Sequence, residues 1–456
     1  MDNEVSLYQS APRIHAREID GLFSRMRKSV VFILLGIYYC FPWLTWDDRQ
    51  AVLWDLPARK FYIFGLTFWP QDFIYMAWLL IIAGMSLFFF TALAGRLWCG
   101  YACPQTVWTQ VFVWLERIAE GPRSKRLKLD KAPWSIEKAL RRCAKQFLWI
   151  TFSLWTGFIF VGYFTPVREL DDKIFSLSLG GWELFWVLFY SFATYGLAGV
   201  MREQVCKYMC PYARFQSAMF DHDSLIISYD STRGEPRGSR SRKDADNRND
   251  LGDCIDCTMC VQVCPTGIDI REGLQYECIA CAACIDACNG IMDKMGYAPN
   301  LIKYTTENAM EGRKSRVFRL RTAIYGTILL ALLIGIVGAL VNRYELHLDV
   351  LRDRNALYRE LSSGVIENVY SIKVVNKSER DHPLEFKIEG LNDVSIETDP
   401  SDPVAVAGEM TVIPVRIQAN PQTNTGGGQN IVLSIHSEID AEIGTSSKSR
   451  FYLPEK

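Results

Sequence analysis

The sequence predicts a membrane protein: a multi-span α-helical scaffold of about five transmembrane helices, an inserted cysteine-rich module and a C-terminal β-sandwich. Three observations carry this. Apolar runs such as FILLGIYYCF, WLLIIAGMSLFFF and ILLALLIGIVGAL recur in one chain of 456 residues that is 49% hydrophobic and holds 13 tryptophans. All 14 cysteines lie at or before Cys288. Beyond residue 341 the chain switches to short alternating apolar and polar stretches between Asn, Asp, Gly and Pro clusters. A formal net charge of -1 and a mean hydropathy of +0.03 imply no polyelectrolyte partner, nucleic acid included.

Five stretches approach the roughly 20 apolar residues that a bilayer core requires: 29–46, 72–93, 143–164, 182–200 and 322–341. The first has Pro42 near its end. A polar segment precedes it without a small-residue cleavage site, so no cleavable signal peptide is expected. Lysine and arginine set the orientation. Arg25, Arg27 and Lys28 flank the first stretch, and eight basic residues from Arg123 to Arg142 separate the second from the third. Those segments are expected inside. The expected organisation is an inner N-terminal segment (1–28), a four-helix region (29–229), a charged linker (230–253), the cysteine module and return segment (254–321), a fifth span (322–341) and an extracytoplasmic β-domain (342–456).

The cysteine module contains two runs, Cys254, Cys257, Cys260, Cys264 and Cys278, Cys281, Cys284, Cys288, each with two, two and three intervening residues. This is the spacing of a ferredoxin-like module with two [4Fe–4S] clusters, in which three thiolates of one run are completed by the last thiolate of the other. One cluster is then assigned to Cys254, Cys257, Cys260 and Cys288, the other to Cys278, Cys281, Cys284 and Cys264. Pro265 follows the first run, whereas Asn289 stands where the second would often carry proline. Duplicated four-cysteine runs without a nearby histidine weigh against zinc. The linker is dense in charge, Gly, Pro and Ser and reads as a solvated, irregular segment. Segments such as ENVYSIKVVNKS, MTVIPVRIQA and NIVLSIHSEI read as strands of an immunoglobulin-like sandwich with no catalytic constellation.

Two further pairs, Cys99 and Cys103 in RLWCGYACPQ and Cys206 and Cys210 in REQVCKYMCPY, share a C-x-x-x-C-P pattern just after the second and fourth spans. Residues four apart on a helix share a face, and proline after the second thiol marks a helix start whose free N–H groups favour thiolate. Soft thiols suit Cu(I), zinc or iron–sulfur species. One shared site, two separate sites or redox-active disulfides all satisfy the pattern. Cys40 and Cys143 read as packing residues. The five histidines, His15, His222, His347, His382 and His436, all lie outside the predicted spans, which disfavours a transmembrane haem. No G-x-G-x-x-G opens a helix after a strand, so a Rossmann nucleotide site has no support.

Taken in order, the paired C-x-x-x-C-P motifs, RGEPRG at 233–238, the two-cluster module and the β-domain resemble the FixG/RdxA/CcoG family of cytochrome c oxidase accessory proteins. The resemblance implies a bacterial inner-membrane protein that supports assembly of cbb3-type oxidase as a cupric reductase, converting Cu(II) to Cu(I). It places copper chemistry at Cys99, Cys103, Cys206 and Cys210, with two [4Fe–4S] clusters as cofactors. The expected partners are copper ions, oxidase assembly factors, a copper-exporting ATPase or copper chaperone, an electron donor, membrane lipid and a second copy of the chain. Two alternatives stand beside it: a quinol-linked subunit of the NapH-like or NosR-like kind, and a non-enzymatic assembly scaffold.

Overall fold

The computed structural model describes residues 14–242, 250–353, 356–440 and 443–454. The first thirteen residues of the predicted N-terminal segment and residues 243–249 of the predicted linker lie outside them. The chain divides into a helical unit, residues 1–53 and 75–333, and a β unit, residues 54–74 and 334–456.

Among the described residues, four helices are long and apolar enough to cross a membrane: Pro70–Ala94, Ile136–Val161, Gly181–Met201 and Leu320–Val341. These correspond to the second to fifth predicted spans. The first predicted span is replaced by a helix over Leu22–Cys40 that stops six residues early, at Phe41–Trp43 with its Pro42. Its opening turns carry Arg25, Arg27 and Lys28, so its apolar part is shorter than those of the other four. A carboxylate from the cysteine module caps it: Asp286 accepts the backbone N–H of Ser24 at 2.7 Å and of Phe23 at 3.3 Å.

Ile136–Val161 is the central helix of the bundle. It packs on Gly181–Thr194 at Gly157, where a Cβ would stand 2.5 Å from the Val187 carbonyl, so only glycine permits this approach. On its other side the Trp149 indole donates to the Phe112 carbonyl at 3.2 Å and meets the Phe112 ring edge-on at 5.4 Å. Phe112 belongs to the helix Pro104–Glu120, which also carries two buried carboxylates. Glu116 holds Arg126 at 3.0 Å and Arg202 at 2.8 Å; Glu120 holds Arg142 at 2.8 Å and Lys145 at 2.9 Å. Each carboxylate thus has two cations, the pairing that makes burial of charge tolerable. Cys40 and Cys143 are both exposed on the outside of their helices, which corrects their reading as packing residues.

The β unit is an immunoglobulin-like sandwich. One antiparallel sheet runs Val394–Thr398, Met410–Ala419, Ile366–Asn376, Leu346–Arg352, and the other runs Val404–Ala405, His382–Glu389, Gly427–Ser437, Gly444–Leu453. Alternation along the strands buries Tyr370, Ile372, Ile413 and Val415 from the first sheet against Leu433, Ile435 and Phe451 from the second. The Tyr370 hydroxyl donates across to the Arg450 carbonyl at 2.8 Å. Asp72 anchors the segment 54–74 to this unit by accepting Arg343 and Lys377, each at 2.6 Å.

Candidate redox centre

Each cysteine run folds as a tight loop leading into a helix. Asp256 and Thr258 take φ of 50° and 54° before the helix Met259–Gln262; Ala280 and Ala282 take 52° and 59° before Ala283–Met295. The offsets from the first cysteine are the same in both runs, so the loops are duplicates in conformation as well as in spacing. Left-handed non-glycine residues cost on the order of 1–3 kcal/mol each and persist where the surroundings fix them. Here they turn the thiols inward around two cavities. Cys254, Cys257, Cys260 and Cys288 line one. Cys264, Cys278, Cys281 and Cys284 line the second, and Cys260 reaches its wall as well.

The donor set fits iron–sulfur clusters. Burial, reinforced by neighbouring thiols, pushes Cys278 and Cys288 up to about 12 and Cys260 to about 11. Four thiolates in such a space require positive charge among them, which iron supplies. Cys257 is exposed, so the first cavity has an edge open to a partner.

Two local departures from the sequence expectation have physical causes. Asn289 lies inside the helix Ala283–Met295, where proline would remove a backbone hydrogen bond; its side-chain oxygen instead accepts the Asn300 N–H at 2.7 Å. The described ends of the predicted solvated linker are packed. Gly252 and Gly234 bring two backbones together, with Asp253 N–H to Arg233 O at 2.9 Å and Gly238 N–H to Cys254 O at 3.1 Å. The Arg233 guanidinium closes the clamp on Asp253 at 2.5 Å. RGEPRG is thereby the brace for the first cysteine loop.

The C-x-x-x-C-P motifs have matching ends and different bodies. Cys103 and Cys210 are both extended N-cap residues, followed by Pro104 and Pro211 at the first positions of the helices Pro104–Glu120 and Pro211–Met219. The two thiols of a motif therefore straddle a helix break and do not share one helix face, because a residue before proline is kept out of the α conformation. In the first motif Cys99 sits on a regular turn, Leu97–Tyr101; in the second Cys206 sits on a π-helical turn, Val205–Met209, closed by Cys210 N–H to Val205 O at 2.8 Å. Arg202, just before that turn, takes φ of 45°.

All four thiols share one electrostatic neighbourhood. Burial pushes Cys99 up to about 12, and Cys103, Cys206 and Cys210 add to it while Arg96 opposes it. Cys206 is pushed up to about 11, again by burial first and then by Cys103 and Cys210. Backbone N–H groups of Thr106 and Gln105 pull Cys103 downward as expected at a helix start, yet burial outweighs them. Among the described residues no three metal-binding side chains close around a single ion, either at these thiols or in the two cysteine cavities.

This set adjoins the second cavity. Gly100 is buried so tightly that a Cβ would stand 2.7 Å from the Ile279 carbonyl and 2.9 Å from the Cys281 Cα. Cys99 packs on the apolar cluster containing Ile279 and Cys281. Arg96, itself buried, donates to Ala213 O at 2.6 Å and Cys278 O at 3.3 Å, and its charge also reaches Cys99 and Cys206. The Cys99 thiol donates to Gln216 Oε1 at 3.5 Å, and Thr106 donates to Cys99 O at 2.6 Å. Arg96, Gly100 and Gln216 escaped the sequence reading; the glycine directly after the thiol in WCGY was the one available signal.

Comparison with known proteins follows the same divisions. Residues 201–307 match a 4Fe-4S dicluster domain, residues 76–122 a 4Fe-4S binding domain, and residues 336–454 the Ig-like fold at the C-terminus of FixG. The nitrogen fixation protein FixG of Rhizobium meliloti is 38% identical over 442 residues, covering 89% of this chain and 83% of the relative. Protein RdxA of Cereibacter sphaeroides is 40% identical over 423 residues, covering 89% and 88%. A solved FixG-related protein from Vibrio parahaemolyticus is 27% identical over 24% of this chain and 96% of its own, with a TM-score of 0.22.

Proposed function

This chain belongs to the FixG/RdxA family, and on that premise we propose that it is an iron–sulfur cupric reductase of the bacterial inner membrane, supporting copper delivery and assembly of cbb3-type oxidase. That it is a membrane-bound iron–sulfur electron-transfer protein rests on the family and its domains. The copper reading is supported by one observation: four soft thiols share one electrostatic neighbourhood, and Cys99 among them packs against the loop of the second cysteine cavity. Cys254, Cys257, Cys260 and Cys288 hold one cluster; Cys264, Cys278, Cys281 and Cys284 hold the other. The clusters supply electrons one at a time, which is the stoichiometry of Cu(II) to Cu(I). The open edge at Cys257 receives the donor, and the motif thiols hold the copper and favour its reduced, softer state. With the helix Leu22–Cys40 inserted as a fifth span, the basic loops and the cysteine module face the cytoplasm and the β unit faces the periplasm.

The test is to replace Cys99, Cys103, Cys206 and Cys210 with alanine and measure Cu(II) reduction by the dithionite-reduced protein. Loss of activity and of copper binding with intact cluster EPR supports the assignment; unchanged activity removes it. A second reading arises because residues 76–122, which contain Cys99 and Cys103, match a 4Fe-4S binding domain. In that reading the four motif thiols hold a third cluster. Iron analysis separates the two: about eight iron atoms per chain for two clusters, about twelve for three.

A further inference from the structure

A second feature of the helical unit is a basic cavity of about 110 Å³ that has Cys206 in one wall and Val263, Pro265 and Ile279 of the cysteine module in another. Arg17, Arg27, Lys28, Arg117, Arg126 and Arg202 line it, against Glu18 and Glu203. The N-terminal segment roofs it, tied down by Arg17 N–H to Gln262 O at 2.7 Å and by the Arg123 side chain to His15 O at 2.8 Å. An adjoining recess of about 310 Å³ shares Arg17, Glu18, Arg117 and Arg126 and adds Arg123.

Local carboxylates neutralise only part of this charge. Lys28 pairs with Asp20, Arg117 with Glu18, and Arg126 and Arg202 share Glu116. Arg17 and Arg27 have no carboxylate partner among the described residues: Arg17 meets the Met259 sulfur at 3.2 Å and Arg27 donates to Gln110 Oε1 at 3.1 Å. Arg126 is 2% exposed, and its Nε finds no hydrogen-bond acceptor among the described residues. A buried guanidinium N–H left unmet is costly, and a cleft lined by one sign of charge concentrates ions of the other.

We infer that this cavity binds a multiply charged anionic small molecule, phosphate- or polycarboxylate-bearing, held by Arg17, Arg27 and Arg126 with its far end toward Cys206. The inference stands apart from the copper reading. A phosphate could arrive free or as a lipid headgroup, and the arms of the test separate these sources. Full-length, cluster-loaded protein in phosphatidylcholine nanodiscs is titrated calorimetrically with sodium pyrophosphate and with citrate. Saturable binding to one site is expected, weakened about ten-fold or more in the Arg17→Gln/Arg27→Gln variant and strengthened in Glu203→Gln, with unchanged cluster absorption and EPR in both. Loss of pyrophosphate binding when the nanodiscs contain one-fifth phosphatidylglycerol assigns the site to lipid headgroups; retained binding assigns it to a soluble anion. Absence of saturable binding overturns the proposal. So does pyrophosphate binding that ignores the double variant while a cluster midpoint potential shifts, because the cations would then be counter-charges to the clusters.

Discussion

The two C-x-x-x-C-P motifs have the same spacing and the same Cys-Pro helix start, yet they stand in different surroundings. The first is wedged against the second cysteine cavity, with Gly100 in backbone contact with the loop at residues 279–281 and Cys99 packed on Ile279 and Cys281. The second rests on a π-helical turn beside a left-handed Arg202, and Cys206 lines the basic cavity. Equal ligand spacing thus accompanies unequal access. Under the proposed function, the regular, tightly packed motif would take electrons from the module and the strained one would meet the incoming metal ion. π-Turns concentrate at functional sites for this reason: the extra residue re-aims a side chain without ending the helix.

Five substitutions test that division, in descending order of effect. Gly100→Val drives a branched side chain into the Ile279 carbonyl and is expected to lower cupric reduction on the order of 10²-fold, with a stability loss of about 1–3 kcal/mol; stopped-flow reoxidation of the reduced clusters by Cu(II) reads the rate. If the rate held, the first motif would not be the electron entry. Arg202→Gln removes one of the two cations on buried Glu116 and is expected to cost about 3 kcal/mol, seen in urea unfolding of the detergent-solubilised protein. Unchanged stability would show that the Arg202–Glu116 pair does not hold the second motif in place. Cys99→Ala should slow reduction about ten-fold at saturating copper, while Cys206→Ala should raise the copper concentration needed for half-maximal rate. The reverse pattern would exchange the two roles. Met209→Ala, at a side chain 54% exposed beside the second motif, should change stability by no more than about 0.5 kcal/mol and leave copper reduction intact.

Much of this centre was legible in the residues. The two-two-three cysteine spacing predicts how the eight thiols divide, because three ligands on one tight loop leave room only for a fourth from elsewhere, and the folded loops place each predicted quartet around its own cavity. Four spans and the alternating strands of the sandwich were likewise readable, since burial against lipid or against a facing sheet imposes a period on the sequence. Long-range features were not. The gathering of Cys99, Cys103, Cys206 and Cys210 depends on packing between segments a hundred residues apart. The π-turn has no local composition to announce it. Residues 230–242 and 250–253 look like solvated linker by charge and glycine content, but Gly234 and Gly252 are there to let backbones touch. Cys40 and Cys143 failed for a simpler reason: an apolar or mixed helical run does not by itself reveal which side chains turn outward.

Asp286 carries a final consequence. It lies between Cys284 and Cys288 on one helix, and its carboxylate caps the helix Leu22–Cys40 through the N–H groups of Phe23 and Ser24. Metal insertion organises the turn that holds those two thiols, and the same turn sets the cap. Cluster binding at Cys284 and Cys288 and the seating of the first helix are thereby linked through a single helical turn.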